Sequence, residues 1–208
     1  MTIAGPAFVV LFVAGGVLLG ELLGTFGDPD ATFDEYFAER GNRARDIVGG
    51  YLLAASGMVL IWFAVQLRRA LRVADNEASW PDVAGLAGAL AGLLIVVAAA
   101  ALMTVSLSMA FGRGFGDTGQ FASGAAGPPQ LGYVLLCALA VIPAAAMIVA
   151  SSIVTLKERS APRWVSYAGF PLAAFLLLGL SVGPLVALPI WVAAATFSLR
   201  RLPATPST

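Results

Sequence analysis

Four apolar runs govern what this chain can fold into: approximately Ala4 to Thr25, Ile47 to Leu67, Val83 to Phe111 and Leu131 to Leu156, each bounded by charges or by glycine and proline. A hydrocarbon layer about 30 Å thick takes roughly 20 residues of helix to cross, because backbone N–H and C=O groups in lipid must be satisfied within the segment itself. All four runs meet that length. A fifth stretch, Val165 to Leu199, has 35 residues, and a single helix of that length would reach roughly 52 Å. Its centre, Gly179-Leu180-Ser181-Val182-Gly183-Pro184, is a turn signal. The stretch therefore reads as a hairpin of two short helices, 165–181 and 184–199, each needing local thinning of the bilayer or cover from neighbouring helices. The expectation is an all-α, polytopic transmembrane bundle of six helices, forming a single domain over residues 1–208.

Composition points the same way. With 59% hydrophobic and 12% charged residues, the chain has too little polar surface to coat a water-soluble globule. Net charge is zero, which gives no footprint for nucleic acid. Lysine and arginine in short loops are retained on the cytoplasmic side. With both termini cytoplasmic, six helices place Arg68, Arg69, Arg72, Lys157, Arg159, Arg163, Arg200 and Arg201 inside and Arg40, Arg43, Arg45 and Arg113 outside, eight against four. Five helices would divide the basic residues evenly and give no orientation. The first run has no preceding Lys or Arg and no convincing small-x-small cleavage site, so it is read as a retained span rather than a secretion signal.

Two outer loops follow from this topology. The loop 26–46 contains Phe33, Tyr36 and Phe37 at helical spacing, with Thr32 and Glu35 as a capping box, and reads as a short interfacial helix that Gly41-Asn42 ends before the second span. The loop Gly112 to Gln130 is rich in glycine and loose, and its glycine spacing matches no phosphate-cradling fingerprint. Gly50-Tyr51 and Gly132-Tyr133 both open apolar runs that end in basic clusters, a faint internal repeat.

Spans associate in lipid through close backbone approach, which small residues four apart permit. Gly16, Gly20 and Gly24 make such a stripe on the first helix, and Ala84, Gly88 and Gly92 make one on the third. Both are expected to face protein. Pro143, near the middle of the fourth span, removes one backbone donor and crowds the carbonyl of Leu139, which predicts a kink. Trp62, Trp80, Trp164 and Trp191 suit anchoring at the membrane interface.

Candidate site residues are few. Glu21 is a carboxylate about one turn from the outer end of the first helix, within reach of Arg43 or Arg45 at the mouth of the second, and could bind a proton or cation in an outward cavity. Arg43 and Arg45 with Asp46 could form an outer anion site, although self-pairing of the cluster is the simpler reading. Thr104, Ser106 and Ser108 on the third helix, and Ser151, Ser152 and Thr155 on the fourth, carry hydroxyls that would either line a path or bond their own backbone. Arg68, Arg69 and Arg72 suit phospholipid headgroups. The chain has no histidine and one cysteine, Cys137, in an apolar run. No catalytic constellation, metal-ligand set or cofactor motif is present in the sequence.

The series Tyr36-Phe37, Asn42-Arg43-Ala44-Arg45, Ile47-Val48-Gly49-Gly50-Tyr51-Leu52-Leu53, Trp62-Phe63, Leu67-Arg68-Arg69-Ala70-Leu71-Arg72 and Pro162-Arg163-Trp164 resembles a large group of six-helix integral membrane proteins of high-GC bacteria, a family of unknown function. The resemblance covers nearly the whole chain. It implies a multi-pass protein of the bacterial plasma membrane with an undivided six-helix domain, and it brings no catalytic residue. The expected role is a non-enzymatic accessory or scaffold subunit, or a bundle that binds lipid or another hydrophobic molecule. Its partners would be the bilayer, a second membrane protein or further copies of the chain, and not nucleic acid. The alternative is a small transporter or channel using Glu21 and the hydroxyls of the third and fourth helices.

Overall fold

A computed structural model describes residues 3–25, 36–37, 39–74, 79–110, 127–157, 162–178 and 183–199. Within them the chain is all-helical, without strands. Helix α1 spans Ala4–Leu18 and, after a break at Leu19 where ψ swings to −2°, continues as the short helix α2, Gly20–Thr25. Helix α3 is Arg40–Ala74 and α4 is Trp80–Ala110. Helix α5, Gly127–Val134, runs through a π-turn at Leu135–Leu139 into α6, Val141–Lys157. Helix α7 is Arg163–Leu178, and a 3₁₀ turn at Gly183–Val186 leads into α8, Ala187–Leu199. The glycine loop 112–126, the capping box at Thr32 and Glu35, and the turn residues 179–182 lie outside the described residues.

Three segments are long and apolar enough to cross a membrane: Arg40–Val73, Trp80–Ala110 and Gly127–Lys157. The first is much longer than the expected span 47–67. Helix α3 has 35 residues, roughly 52 Å at 1.5 Å per residue. Hydropathy marks only its lipid-length middle, whereas helical hydrogen bonding continues through the charged turns at both ends. Gly41 and Asn42 do not end a helix as expected but lie in the first turn of α3. Asn42 fastens that turn instead, its Nδ2 donating to the Tyr36 carbonyl at 3.2 Å and to Glu39 Oε2 at 3.3 Å. The remaining apolar helices are shorter, α7 having 16 residues and α8 having 13.

The helices close into a ring. Each packs on its sequence neighbours, from α1 against α3 and α3 against α4 round to α7 against α8, and α8 returns to α1. Helix α6 also touches α3 across the ring. Met147, Leu60, Phe63, Leu67 and Val192 are almost wholly shielded from solvent. Outward faces are just as apolar: Val17, Leu86, Ile142, Leu178 and Phe197 are all more than half exposed. Large apolar side chains exposed on many faces do not suit a water-soluble surface, and they suit a lipid solvent.

Glycine sets the closest approaches. A Cβ added at Gly57 would lie 2.6 Å from the Gly92 carbonyl oxygen, and one at Gly92 would lie 2.6 Å from the Gly57 carbonyl oxygen, so α3 and α4 cross backbone to backbone. Gly88 meets Ala64 and Met147, and Ala84 is fully buried. The stripe of Gly16, Gly20 and Gly24 requires correction. Among the described residues, none of the three has a neighbouring atom within 4 Å of an added Cβ. The packing face of the first helix instead runs through Ala4, Phe8, Phe12, Gly15, Leu19 and Leu22, and Gly16 points roughly 100° away from it. Gly15 is the contact residue, against Gly49 and Leu53 of α3.

Pro143 is buried, and the disturbance it causes lies one turn earlier than its own position. The Ala140 N–H bonds back to the Leu135 carbonyl at 2.8 Å, closing the π-turn Leu135–Leu139. A wider turn at this point takes up the distortion that a proline ring imposes on the preceding carbonyls. Trp191 is a second correction. Rather than anchoring at an interface it is 3% exposed in the core, while Trp62, Trp80 and Trp164 are exposed.

Candidate functional site

The polar residues of the described structure gather at the two ends of α3. Glu21 occupies the first turn of α2, where a carboxylate is favoured by the unpaired N–H groups of a helix start. It forms an ion pair with Arg45 on the second turn of α3, tying the first helix to the second. Both side chains are roughly half exposed, so the pair is worth about 0–1 kcal/mol. Arg43 is partly buried and joins no ion pair among the described residues. The structure thus brings Glu21 and Arg45 together and leaves Arg43 outside the pair.

Asp46 is the residue that sequence reasoning undervalued. Its neighbour Arg45 faces outward, whereas Asp46 is completely shielded. It accepts a hydrogen bond from Tyr36 Oη on Oδ1 at 2.8 Å and one from Ser106 Oγ on Oδ2 at 3.0 Å. A carboxyl group out of water is costly unless hydrogen-bonded. Each of its oxygens has a hydroxyl donor, one from the segment preceding α3 and one from α4. Burial first, and then the adjacent Asp46, push the Tyr36 phenol well above the ordinary tyrosine range. Tyr36 also meets Phe37 edge-on, with ring centroids 5.2 Å apart, and Phe37 is buried. The rest of the expected interfacial helix falls outside the described residues.

A signal for Asp46 was present in the sequence. Counting back by heptads from Leu67 through Leu60 and Leu53 reaches Asp46, and all four are buried. The carboxylate therefore stands on the inward stripe of α3.

The hydroxyls expected to line a path are committed locally. Thr104 Oγ1 donates to the Ala100 carbonyl and Ser108 Oγ to the Thr104 carbonyl, both at 2.8 Å. Ser106 is held by Asp46. On α6, Ser151 Oγ donates to the Met147 carbonyl at 2.6 Å, and Thr155 Oγ1 lies 3.0 Å from the Ser151 carbonyl. Ser152 is the exception, its buried Oγ having no hydrogen-bond partner among the described residues.

At the other end of α3, Arg68 Nε donates to Asp82 Oδ1 at 2.7 Å, and Arg72 Nη2 reaches both Asp82 oxygens, at 2.8 and 2.6 Å. Asp82 stands in the first turn of α4. Two of the three arginines expected at lipid headgroups are therefore turned to a carboxylate, and Arg69 remains outward and exposed. Among the described residues no group of three or more metal-ligating side chains stands together.

The arrangement can pin helices to one another at both ends of the bundle, by charge on the surface and by a shielded carboxylate beneath it. No family model, curated protein or solved structure matches the chain.

Proposed function

We propose that the chain is a six-span membrane bundle of a bacterial plasma membrane, with both ends cytoplasmic, acting as a non-enzymatic scaffold or accessory subunit whose apolar outer faces receive lipid or a partner helix. The observation that carries this reading is the commitment of the polar groups. Glu21 is paired with Arg45, Ser106 with Asp46, and Thr104 and Ser108 with their own helix. A solute path needs polar groups that can exchange protein partners for the solute, and these already have partners within the bundle. The shielded interior residues Leu60, Phe63 and Met147 favour the same reading. What the bundle offers to other molecules is its exterior, where small residues and apolar side chains support helix association in lipid.

Native mass spectrometry of protein released gently from its own membrane tests this directly. A stoichiometric protein companion or retained lipid supports the scaffold reading. Proteoliposomes supply the counter-test: ion or solute flux that disappears in Glu21→Gln would replace it with a transporter. The expected result is no flux above empty vesicles and no change in fold for that variant, since an exposed ion pair contributes so little.

A further inference from the structure

An apolar groove opens between α7 and α8. Pro162 and Trp164 line it from the start of α7, and Ala194, Phe197 and Ser198 from the last turns of α8. Its volume is about 240 Å³, below the roughly 300–1,000 Å³ of sites that enclose a whole drug-sized ligand, so it seats part of a molecule and leaves the rest outside. Trp164 and Phe197 are 67% and 64% exposed. The one hydroxyl in the wall, that of Ser198, already donates to the Ala194 carbonyl at 2.8 Å. An occupant is therefore offered mainly apolar contact.

The end of the bundle that carries this groove is basic. Ser166 and Ser198 share a crevice with Leu67 and Thr155, which brings the start of α7 together with the ends of α3, α6 and α8. Lys157 closes α6, Arg163 opens α7, and the described residues of α5 to α8 include no Asp or Glu. Arg163 stands between Pro162 and Trp164 in the chain, is exposed, and joins no ion pair among the described residues. The adjoining sequence adds Arg159, Arg200 and Arg201 against Glu158 alone, making five basic residues to one acidic. A free anion would leave the aromatic walls uncovered, and an uncharged apolar molecule would leave the cations unanswered. A hydrocarbon chain joined to an anionic head meets both, and basic pockets between membrane helices take such headgroups.

We propose that one anionic phospholipid binds here, an acyl chain lying in the groove against Trp164 and Phe197 and its phosphate at Arg163. This rests on the reading of the outer faces as lipid-receiving and specifies which lipid one of them selects. Full-length protein, purified and stripped of lipid in detergent, is titrated with phosphatidylglycerol or with phosphatidylcholine of the same acyl chains and followed by native mass spectrometry. Phosphatidylglycerol is expected to bind more tightly. Arg163→Gln is expected to weaken it about fivefold and leave phosphatidylcholine unchanged. Ala194→Leu, which fills the groove, is expected to weaken both lipids, and Arg69→Gln, which removes an exposed charge of α3, neither. Equal affinity for the two lipids overturns the proposal, as does an equal loss in Arg163→Gln and Arg69→Gln, or an Ala194→Leu variant that binds both lipids as the wild type does. Displacement of phosphatidylglycerol by inorganic phosphate, but not by sodium chloride of the same ionic strength, would assign the cation to a free anion instead. Should Arg163→Gln fail to fold, the wild-type comparison and Ala194→Leu still decide. The scaffold reading is judged separately, by protein companions and by flux.

Discussion

Asp46 illustrates how one residue can be shielded from water and remain satisfied. Replacing it with alanine leaves the hydroxyls of Tyr36 and Ser106 without their shared acceptor. The expected loss is about 2–3 kcal/mol, measured by denaturant titration in detergent, and a loss no larger than that of Glu21→Gln would show that the carboxylate bears no structural weight. Tyr36 adds a pH dependence. Its phenol is raised above the ordinary value in the folded chain, so the unfolded chain gives up its proton first. Stability is therefore full below about pH 10 and declines as pH rises beyond the free tyrosine value. Tyr36→Phe should flatten that decline, and unfolding curves measured from pH 8 to 11 would reveal whether it does. That Glu21 stands within reach of an arginine at the mouth of the next helix was legible from the charges, whereas the choice of Arg45 over Arg43 was not, because two residues of helix separate them by about 200°. Asp46 was less legible, since a charge beside two arginines reads as part of a solvated cluster until the heptad register is counted.

Helix positions were legible from the apolar runs, but helix faces were not, and α1 shows why. The residues that pack and the residues that face lipid are equally apolar, because lipid exerts no selection for polarity on the outward side. Gly16, Gly20 and Gly24 have the spacing of a packing stripe, yet the stripe passes through Gly15. Substitution separates the two sets. Gly20→Ala meets nothing within 4 Å among the described residues and should be neutral or stabilise by up to about 1 kcal/mol through restricted backbone freedom. Gly92→Val should push α3 from α4 and cost about 3 kcal/mol or more, given that overpacking of interiors costs about 1–3 kcal/mol and the obstruction here is the Gly57 backbone. Equal Tm values for the two variants would refute the assignment of faces. Helix ends were misjudged for a related reason: transfer energy stops at the headgroups, whereas the backbone ladder of α3 runs on through Arg43 at one end and Arg72 at the other.

At the scale of the whole molecule, the reading of α3 as a membrane-spanning helix makes a prediction that depends on no side-chain detail. Cysteines placed singly at Arg43 and Arg69, with Cys137→Ala, should react with an impermeant maleimide from opposite sides of the membrane. Labelling of both from one side would rule out α3 as a spanning helix. On the proposed scaffold reading, copurifying lipid or protein should be sought on the exposed apolar faces, such as those carrying Val17, Leu86 and Phe197.

The ring has one joint unlike the others. Every other contact round it links helices adjacent in the chain, but α8 meets α1 where a Cβ on Gly5 would collide with the side chain of Thr196. During synthesis the first helix is made long before its second flank exists. Until then the face of α1 that carries Gly5, which meets Thr196 in the finished bundle, must be covered by lipid or by another helix. The nascent protein is thus an open arc until α8 arrives, and that joint determines when the ring becomes a closed object.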